Sequence, residues 1–287
     1  MWRSVRSRVQ IRLYHQHFES RTLQQYLKDP IKLLVLPVKE KDVFVYYKHG
    51  DDLVNRQSRI IRSEKWIIDK SLKLWSKLEN SSKSYNKKIV LYITKLLDTV
   101  PWSEDSLISV PNESSLLKRL KDDGDRITLK EYQQSSELTK SHLLPLHIYY
   151  PIDGPSIPTS QLIKSLRELS ENGLAYHKKH MIYCALGLPL TIPLVLLPVV
   201  PNVPGFYLMY RLYCNFKAFL GARHLQKIVN EEASDIFFYS VPTVMSERDN
   251  GLTEEKLPIV LDQLEVQEIE NKLKKAIRQS HGSVKED

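Results

Sequence analysis

The sequence has few of the residues on which most enzyme and metal sites depend. It contains two cysteines, Cys184 and Cys214, and neither belongs to a Cys-x-x-Cys pair, so a zinc site built on paired cysteines is not expected. The two thiols are interpreted as small buried apolar groups, with a disulfide between them as the alternative. The sequence also has no phosphate loop, no nucleotide fingerprint and no compact cluster of histidine, cysteine and carboxylate residues. We therefore expect a protein that is not an enzyme and that holds no metal and no cofactor.

Acidic residues are absent from the first eighteen positions, which read MWRSVRSRVQIRLYHQHF. Four arginines occur there, at positions 3, 6, 8 and 12, and apolar residues recur at helical spacing between them. Arginine-rich, acid-free and amphipathic composition at an N-terminus is typical of a mitochondrial transit peptide. We predict a transit peptide over residues 1–14, with an end that extends at most to about residue 28. A plain basic arm is the alternative.

The positive charge of the chain is concentrated at this N-terminus. The formal net charge is +8, and residues 1–14 carry four arginines and no acid, so their removal leaves 8 − 4 = +4. A basic surface binds nucleic acid by releasing counterions from phosphates. Because half of the net charge belongs to the predicted leader, we expect no nucleic-acid partner.

Charged side chains are also absent from the thirty positions between Met181 and Tyr210. A membrane helix needs about 20 apolar residues, but this stretch contains prolines at positions 189, 193, 198, 201 and 204. Each proline removes a backbone donor and clashes with the preceding helical turn, so one regular helix is excluded. The pattern predicts a proline-broken membrane span or re-entrant hairpin over residues 181–222. A buried core helix is the alternative.

Lysines and arginines are nearly balanced on the two sides of this segment, which favours a hairpin with both ends on the matrix side. The predicted membrane turn and candidate ion path consist of Pro198, Pro201, Asn202 and Pro204. The predicted juxtamembrane anchors are Lys178, Lys179, Tyr207, Tyr210, Arg211 and Lys217. Because no ionisable residue occurs at the predicted membrane depth, a single copy of the chain is a poor exchanger.

The remainder of the chain predicts an α+β, predominantly helical protein. Two β-rich runs at 31–38 and 42–49 form a plausible hairpin, and a third run lies at 143–150. Apolar periodicity predicts helices over 53–78, 85–99, 112–121, 158–174 and 258–280. The predicted organisation is therefore a soluble α/β matrix domain at 31–180 with a small β element, the membrane segment at 181–222, and a helical matrix segment with amphipathic helices at 223–287.

The stretch PLTIPLVLLPVVPNVPGFYLMYRLYCNFKAFLGARHL resembles the core signature of the mitochondrial potassium/proton exchange-related family. The positions that carry this resemblance are Pro198, Pro201, Asn202, Pro204, Phe206, Tyr207, Tyr210, Arg211 and Gly221. The upstream PWSEDSLISVP and the helix that begins near Ser160 are also similar to the family. Lys217 departs from the pattern, because arginine is expected there, and the two cations differ in hydrogen-bond geometry.

The resemblance implies a requirement for potassium/proton exchange across the mitochondrial inner membrane, and hence for potassium homeostasis and matrix volume control. We expect a subunit or regulator of the exchange rather than the sole carrier. The expected partners are inner-membrane lipid and other inner-membrane proteins in a homo- or hetero-oligomer, with the bulk of the chain facing the matrix. The alternative is a membrane-tethered assembly or ribosome-receptor protein that affects ion flux indirectly.

Overall fold

A mixed β-sheet flanked by helices forms the centre of the molecule. The computed structural model describes residues 19–282 apart from 40, 122–123, 153–157, 194–202, 232–236, 247–248 and 250. The strands are β1 (Glu19–Ser20), β2 (Ile31–Pro37), β3 (Val43–His49), β4 (Leu117–Arg119), β5 (Arg126–Thr128), β6 (His147–Tyr150) and β7 (Phe237–Ser240). The helices are α1 (Leu23–Lys28), α2 (Arg59–Glu79), α3 (Ser84–Asp98), α4 (Trp102–Ile108), α5 (Leu129–Gln134), α6 (Thr159–Leu190), α7 (Val203–Glu231), α8 (Leu257–Leu264) and α9 (Glu270–Gly282).

The main sheet has the strand order β1-β7-β6-β2-β3. β2 and β3 are antiparallel neighbours, whereas β2, β6, β7 and β1 run parallel to one another. Every residue of β2 is buried, which explains its nearly continuous apolar sequence, since a strand covered on both faces shows no alternation. The predicted α+β class and the hairpin of β2 and β3 are confirmed. The β element is larger than predicted, because β6 and β7 join it from distant parts of the chain.

Two predicted helices are wrong. The segment 112–121 forms a short 3-10 turn followed by β4, which pairs with β5. The predicted helix over 258–280 is divided into α8 and α9, because Glu265 adopts a left-handed conformation with φ +52°. The backbone N–H of Val266 donates to the carbonyl of Leu261 at 3.0 Å, a bond that ends α8 in the manner of a C-terminal cap.

Residues 19–28 belong to the folded body. The Tyr26 side chain is fully buried, and its hydroxyl donates to the carbonyl of Leu264 at 3.0 Å. The Arg21 guanidinium lies 3.5 Å from the centre of the Tyr239 ring and donates to the Tyr149 hydroxyl at 2.7 Å. These contacts fix β1 and α1 against the sheet. The predicted transit peptide over residues 1–14 lies outside the described residues.

Helices α6 and α7 form a long antiparallel hairpin that packs on α4. At one end Arg167 of α6 donates to Asn230 of α7 at 3.1 Å. Gly221 lies in close contact with the α4 backbone, because a Cβ atom there would lie 2.0 Å from the carbonyl oxygen of Leu107 and 2.8 Å from that of Val110. Real Cβ atoms do not approach a carbonyl so closely. The absence of a side chain at Gly221 therefore sets the distance between α7 and α4.

The predicted membrane segment at 181–222 falls on the end of this hairpin. Among the residues that the structure describes, no helix is both long enough and apolar enough to cross a membrane. The first half of α6 is rich in charged residues, and α7 carries Arg211, Lys217 and Arg223. The described residues thus do not support the predicted span. Residues 194–202, which connect the two helices and include Pro198, Pro201 and Asn202, lie outside the described part.

Candidate functional site

Four polar side chains meet in the interior where α4 crosses the hairpin of α6 and α7. They are Glu104 of α4, His177 of α6, and Arg211 and Asn215 of α7, with exposed fractions of 3%, 1%, 7% and 0%. We call this set the buried ionic cluster. Charged residues are seldom buried to this degree unless they are paired, so the partners of each group decide what the cluster can do.

The Arg211 guanidinium and the Glu104 carboxylate form a two-bond ion pair. Nη1 donates to Oε1 at 2.5 Å and Nη2 donates to Oε2 at 2.7 Å. This fork geometry matches two parallel donors to two acceptors and gives one of the stronger polar contacts in proteins. Burial alone lowers the pKa of Arg211, but the hydrogen bonds and the charge of Glu104 outweigh burial and raise it above the usual range. Arg211 therefore stays cationic.

Asn215 determines which nitrogen of His177 carries the proton. The Asn215 amide nitrogen donates to the carbonyl of Arg211 at 2.7 Å, so its oxygen is left as an acceptor. His177 Nδ1 lies 2.8 Å from that oxygen and must therefore be the donor. The same Nδ1 is 3.8 Å from Glu104 Oε2, too far for a hydrogen bond. Burial lowers the pKa of His177 more than the Asn215 bond and Glu104 raise it, so the imidazole is neutral near neutral pH.

A cavity of about 350 Å³ lies beside the cluster and has His177 in its wall. Trp102 and Tyr176 supply aromatic surface, while Lys41 and Glu168 supply charge. The cavity thus borders the cluster at a neutral imidazole rather than at the ion pair. Glu104 and Arg211 are not among its lining residues.

Cys184 lies on α6 and Cys214 lies on α7, and both thiols are buried and free. The prediction of small buried thiols is confirmed. Burial raises the pKa of Cys214 to about 11 and also raises the pKa of Cys184. Both thiols are consequently protonated and poorly reactive at neutral pH.

The structure separates the predicted site residues into distinct environments. Pro198, Pro201 and Asn202 lie outside the described residues, so their predicted role in a turn or ion path stays a prediction. Pro204 is exposed in the first turn of α7, and Lys178 and Lys179 are exposed on α6. The remaining predicted anchors are Tyr207, which is half-buried, Tyr210, which is 39% exposed, and the cations Arg211 and Lys217.

Two predicted anchors have partners inside the protein instead. Arg211 was predicted as a juxtamembrane anchor, and both arms of its guanidinium are occupied by Glu104. Lys217 forms an ion pair with Glu64 of α2. Sequence reasoning missed Glu104 and Asn215 as site residues. The one signal in the sequence was Arg211 itself, which directly follows the charge-free segment. If such an arginine is buried, it requires a carboxylate partner.

The outer end of the hairpin presents an apolar surface to solvent. We call this surface the apolar end. Its exposed side chains are Ile182, Tyr183, Leu186, Leu190, Ile192, Phe206, Met209 and Tyr210, with exposed fractions from 39% for Tyr210 to 79% for Leu190. Contiguous exposed apolar side chains on this scale mark interaction surfaces more often than free surface. Within the described residues, the hairpin is therefore held by polar contacts where it crosses α4 and carries exposed apolar side chains at its outer end.

The buried ionic cluster is suited to fastening the hairpin rather than to exchanging ions. Its one carboxylate is neutralised by Arg211, and its imidazole is uncharged. A cation path needs an acceptor group that can release one ion and take another, and Glu104 is held by two hydrogen bonds. Within the described residues, no group of three or more histidine, cysteine or acidic side chains is placed to hold a metal ion.

Comparison with known proteins gives a consistent result. The profile of a family described as mitochondrial K+-H+ exchange-related matches residues 32–229, a range that contains the buried ionic cluster and nearly all of the hairpin. An uncharacterized protein of Saccharomyces cerevisiae is 45% identical over 297 residues, covering 95% of this chain and 92% of the relative. An uncharacterized protein of Schizosaccharomyces pombe is 30% identical over 203 residues, covering 70% and 76%. No solved structure matches the chain.

Proposed function

The chain belongs to the mitochondrial K+-H+ exchange-related family, and on that premise we propose that it is a subunit or regulator of potassium/proton exchange at the mitochondrial inner membrane. The family description associates the chain with mitochondria and with this exchange. The proposal adds a location, the matrix face of the inner membrane, and a role, which is to assist a carrier rather than to be one. Through that role the protein would contribute to potassium homeostasis and matrix volume.

The observation that carries the proposal is the apolar end of the hairpin. Leu186, Leu190 and Ile192 are each more than 60% exposed, and water is an unfavourable neighbour for such side chains. Contact with lipid or with an inner-membrane protein would cover them. Tyr183 and Tyr210 lie at the same end, and tyrosine rings are favoured at the level of lipid headgroups. The arrangement supports shallow docking of the hairpin end without a full crossing.

The preference for an accessory role comes from the charge-free sequence of the outer part of the hairpin. No charged residue occurs between Met181 and Tyr210, and the nearest buried carboxylate, Glu104, is neutralised by Arg211. A proton-coupled carrier uses an ionisable residue at depth. We therefore propose that the ion path belongs to partner inner-membrane proteins or to an oligomer with this chain, with no cofactor and no catalytic step.

The first test uses liposomes that contain only the purified full chain and a trapped pH dye. After an imposed potassium gradient, we expect no proton exchange above that of empty liposomes. In the same study, mitochondria depleted of the protein should show reduced potassium-driven swelling, and the full chain should restore it. Swelling unchanged by depletion contradicts the proposal, and exchange by the purified chain alone would identify a carrier.

A matched pair of variants tests the apolar end. Leu190→Asp places a charge on its most exposed side chain, whereas Ile259→Asp makes the same kind of change on α8, where Ile259 is 51% exposed. We expect Leu190→Asp to lose restoration of swelling and Ile259→Asp to retain it. Equal restoration by both variants would remove the apolar end from the function.

A second candidate, a membrane-tethered assembly or ribosome-receptor protein, is favoured by the basic composition of α2 and α3. Residues 59–98 contain ten lysines and arginines and four acidic residues, a net charge of +6. Co-sedimentation with mitochondrial ribosomes that survives moderate salt would favour this function. Loss of co-sedimentation in moderate salt would indicate non-specific attraction to phosphate.

A further inference from the structure

One face of α2 carries an ordered row of cations around a tryptophan. Arg62, Trp66, Lys70, Lys73 and Lys77 are four, four, three and four positions apart, which places them on one side of the helix. All five side chains are exposed, and Trp66 is exposed to 62%. We call this row the basic stripe.

The cations of the basic stripe have no partners within the described part of the chain. No ion pair of the described residues includes Arg62, Lys70, Lys73 or Lys77. Two of the three acidic residues of α2 are engaged elsewhere, as Glu64 pairs with Lys217 of α7 and Glu79 accepts a hydrogen bond from Trp75 at 2.6 Å. The third, Asp69, is exposed and forms no ion pair within the described part of the chain. Four cations against the single nearby carboxylate of Asp69 leave the stripe a net positive surface, for which an anionic surface is the complementary partner.

Trp66 indicates the kind of anionic surface. A tryptophan that served only packing would be buried, yet this ring projects among cations. Tryptophan is favoured at membrane interfaces, where its apolar ring meets acyl chains and its N–H meets headgroups. A helix with a basic face and large apolar or aromatic side chains is typical of segments that lie on anionic membranes. The neighbouring α3 repeats the composition, with exposed Leu91 and Tyr92 beside Lys88 and Lys95.

The position of α2 links the stripe to the hairpin. The ion pair between Glu64 and Lys217 joins α2 to α7. α3 in turn packs against α2. The stripe and the apolar end thus belong to one group of helices. A single-stranded nucleic acid would stack on Trp66, the exposed aromatic ring of α2, and would not contact the apolar end. A membrane can contact both surfaces, so anionic lipid is the better match.

We propose that the basic stripe of α2 binds anionic phospholipid headgroups. This inference rests on the proposed function only in placing the chain at a membrane, and it assigns a surface and a lipid class that potassium exchange does not require. Each lysine near an anionic membrane contributes about a fivefold gain in partitioning. Loss of two lysines should weaken binding about 25-fold by the same reasoning.

The test is flotation of the full chain with phosphatidylcholine vesicles that contain phosphatidylglycerol, compared with pure phosphatidylcholine vesicles. We expect Lys70→Gln/Lys73→Gln to bind the anionic vesicles about 25-fold more weakly than the unmodified chain. The matched control, Lys121→Gln/Lys130→Gln, removes the same charge from exposed lysines outside α2. We expect the control to change binding by about twofold or less, because its lysines lie away from the stripe.

Trp66 provides a readout that net charge does not move. Its emission should shift to shorter wavelength on anionic vesicles, and the shift should be lost in Trp66→Phe while Trp2, Trp75 and Trp102 remain. Equal weakening by the stripe and control variants would overturn the proposal, as would unchanged binding of Lys70→Gln/Lys73→Gln. Weakened binding to RNA with unchanged binding to vesicles would also overturn it, in favour of a nucleic-acid surface.

The variant of the apolar end separates this proposal from the proposed function. Leu190→Asp should reduce binding to neutral and anionic vesicles alike, since it acts on apolar contact. Lys70→Gln/Lys73→Gln should instead reduce only the additional binding to anionic vesicles over neutral ones, together with the salt dependence of that additional binding. If the stripe variant loses the additional binding to anionic vesicles, the stripe proposal is supported. That result holds even where depletion of the protein leaves potassium-driven swelling unchanged, which is the outcome that contradicts the proposed function.

Discussion

Removal of the Glu104 carboxylate is the sharpest test of the buried ionic cluster. Glu104→Gln preserves the shape of the side chain but removes its charge and one acceptor of the two-bond pair. Arg211 remains cationic and only 7% exposed, and no other carboxylate among the described residues forms an ion pair with it. The substitution therefore leaves a buried charge without its counter-ion.

The expected cost is large relative to the stability of a domain. Breaking a buried ion pair by removing one partner costs about 3–5 kcal/mol, whereas a typical folded domain is stable by about 5–15 kcal/mol. The exposed pair of Lys164 and Glu168, 3.8 Å apart on α6, is the matched control. We expect Glu168→Gln to cost less than about 1 kcal/mol, because water screens that pair.

The assay is equilibrium unfolding in urea, with free energies compared at equal slope. A double-mutant cycle adds Arg211→Met and the double variant Glu104→Gln/Arg211→Met. Because the double variant removes the stranded charge, it should be more stable than the sum of the single costs predicts, with a coupling of several kcal/mol. A cost below about 1 kcal/mol for Glu104→Gln, or additive single costs, would refute the buried pair as the fastening of the hairpin.

Three further predictions concern backbone approach, the N-terminus and pH. Gly221→Ala should destabilise the protein by at least about 1–3 kcal/mol in urea unfolding, since its Cβ would collide with the α4 backbone. Deletion of residues 1–28 should lower the thermal midpoint strongly relative to deletion of 1–18, because the longer deletion also removes fully buried Tyr26. Burial lowers the pKa of His224 to about 4 from 6.5, so the unfolded chain binds the extra proton between these values. Stability should therefore fall by about 3 kcal/mol as pH drops from 6.5 to 4, and His224→Gln should lose that part of the pH dependence.

Local sequence signals predicted the elements that local interactions determine. The apolar run of β2 and its hairpin with β3 follow from a short turn between β-rich segments, and α2 and α3 follow from apolar periodicity. The segment 112–121 was predicted as a helix because its apolar spacing permits one. There the pairing of β4 with β5 prevailed, and such pairing depends on residues that local propensity does not include.

The buried ionic cluster could be anticipated only in part. Arg211 was singled out from its position at the end of the charge-free segment, but its partner Glu104 lies 107 positions earlier in the chain. His177 comes from a third element, α6, and directly precedes the predicted anchors Lys178 and Lys179. The sequence indicates that Arg211 requires a carboxylate partner if it is buried, but it does not indicate which carboxylate. The contact with Glu104 forms only when α4 crosses the hairpin.

The hairpin of α6 and α7 combines two surfaces with opposite requirements. α7 is fixed by Gly221 against the α4 backbone and by Arg211 against Glu104, so it cannot slide along α4 without stranding a charge or colliding with backbone. The end of the hairpin exposes apolar side chains that this fastening does nothing to cover. A rigid base and an uncovered end together favour a hairpin that is held out for contact with a membrane or partner. In that arrangement the basic stripe of α2, joined to α7 through Glu64 and Lys217, would supply electrostatic attraction and the apolar end would supply depth. Anionic lipid would then bring the protein to the membrane, and the apolar end would determine how firmly it stays.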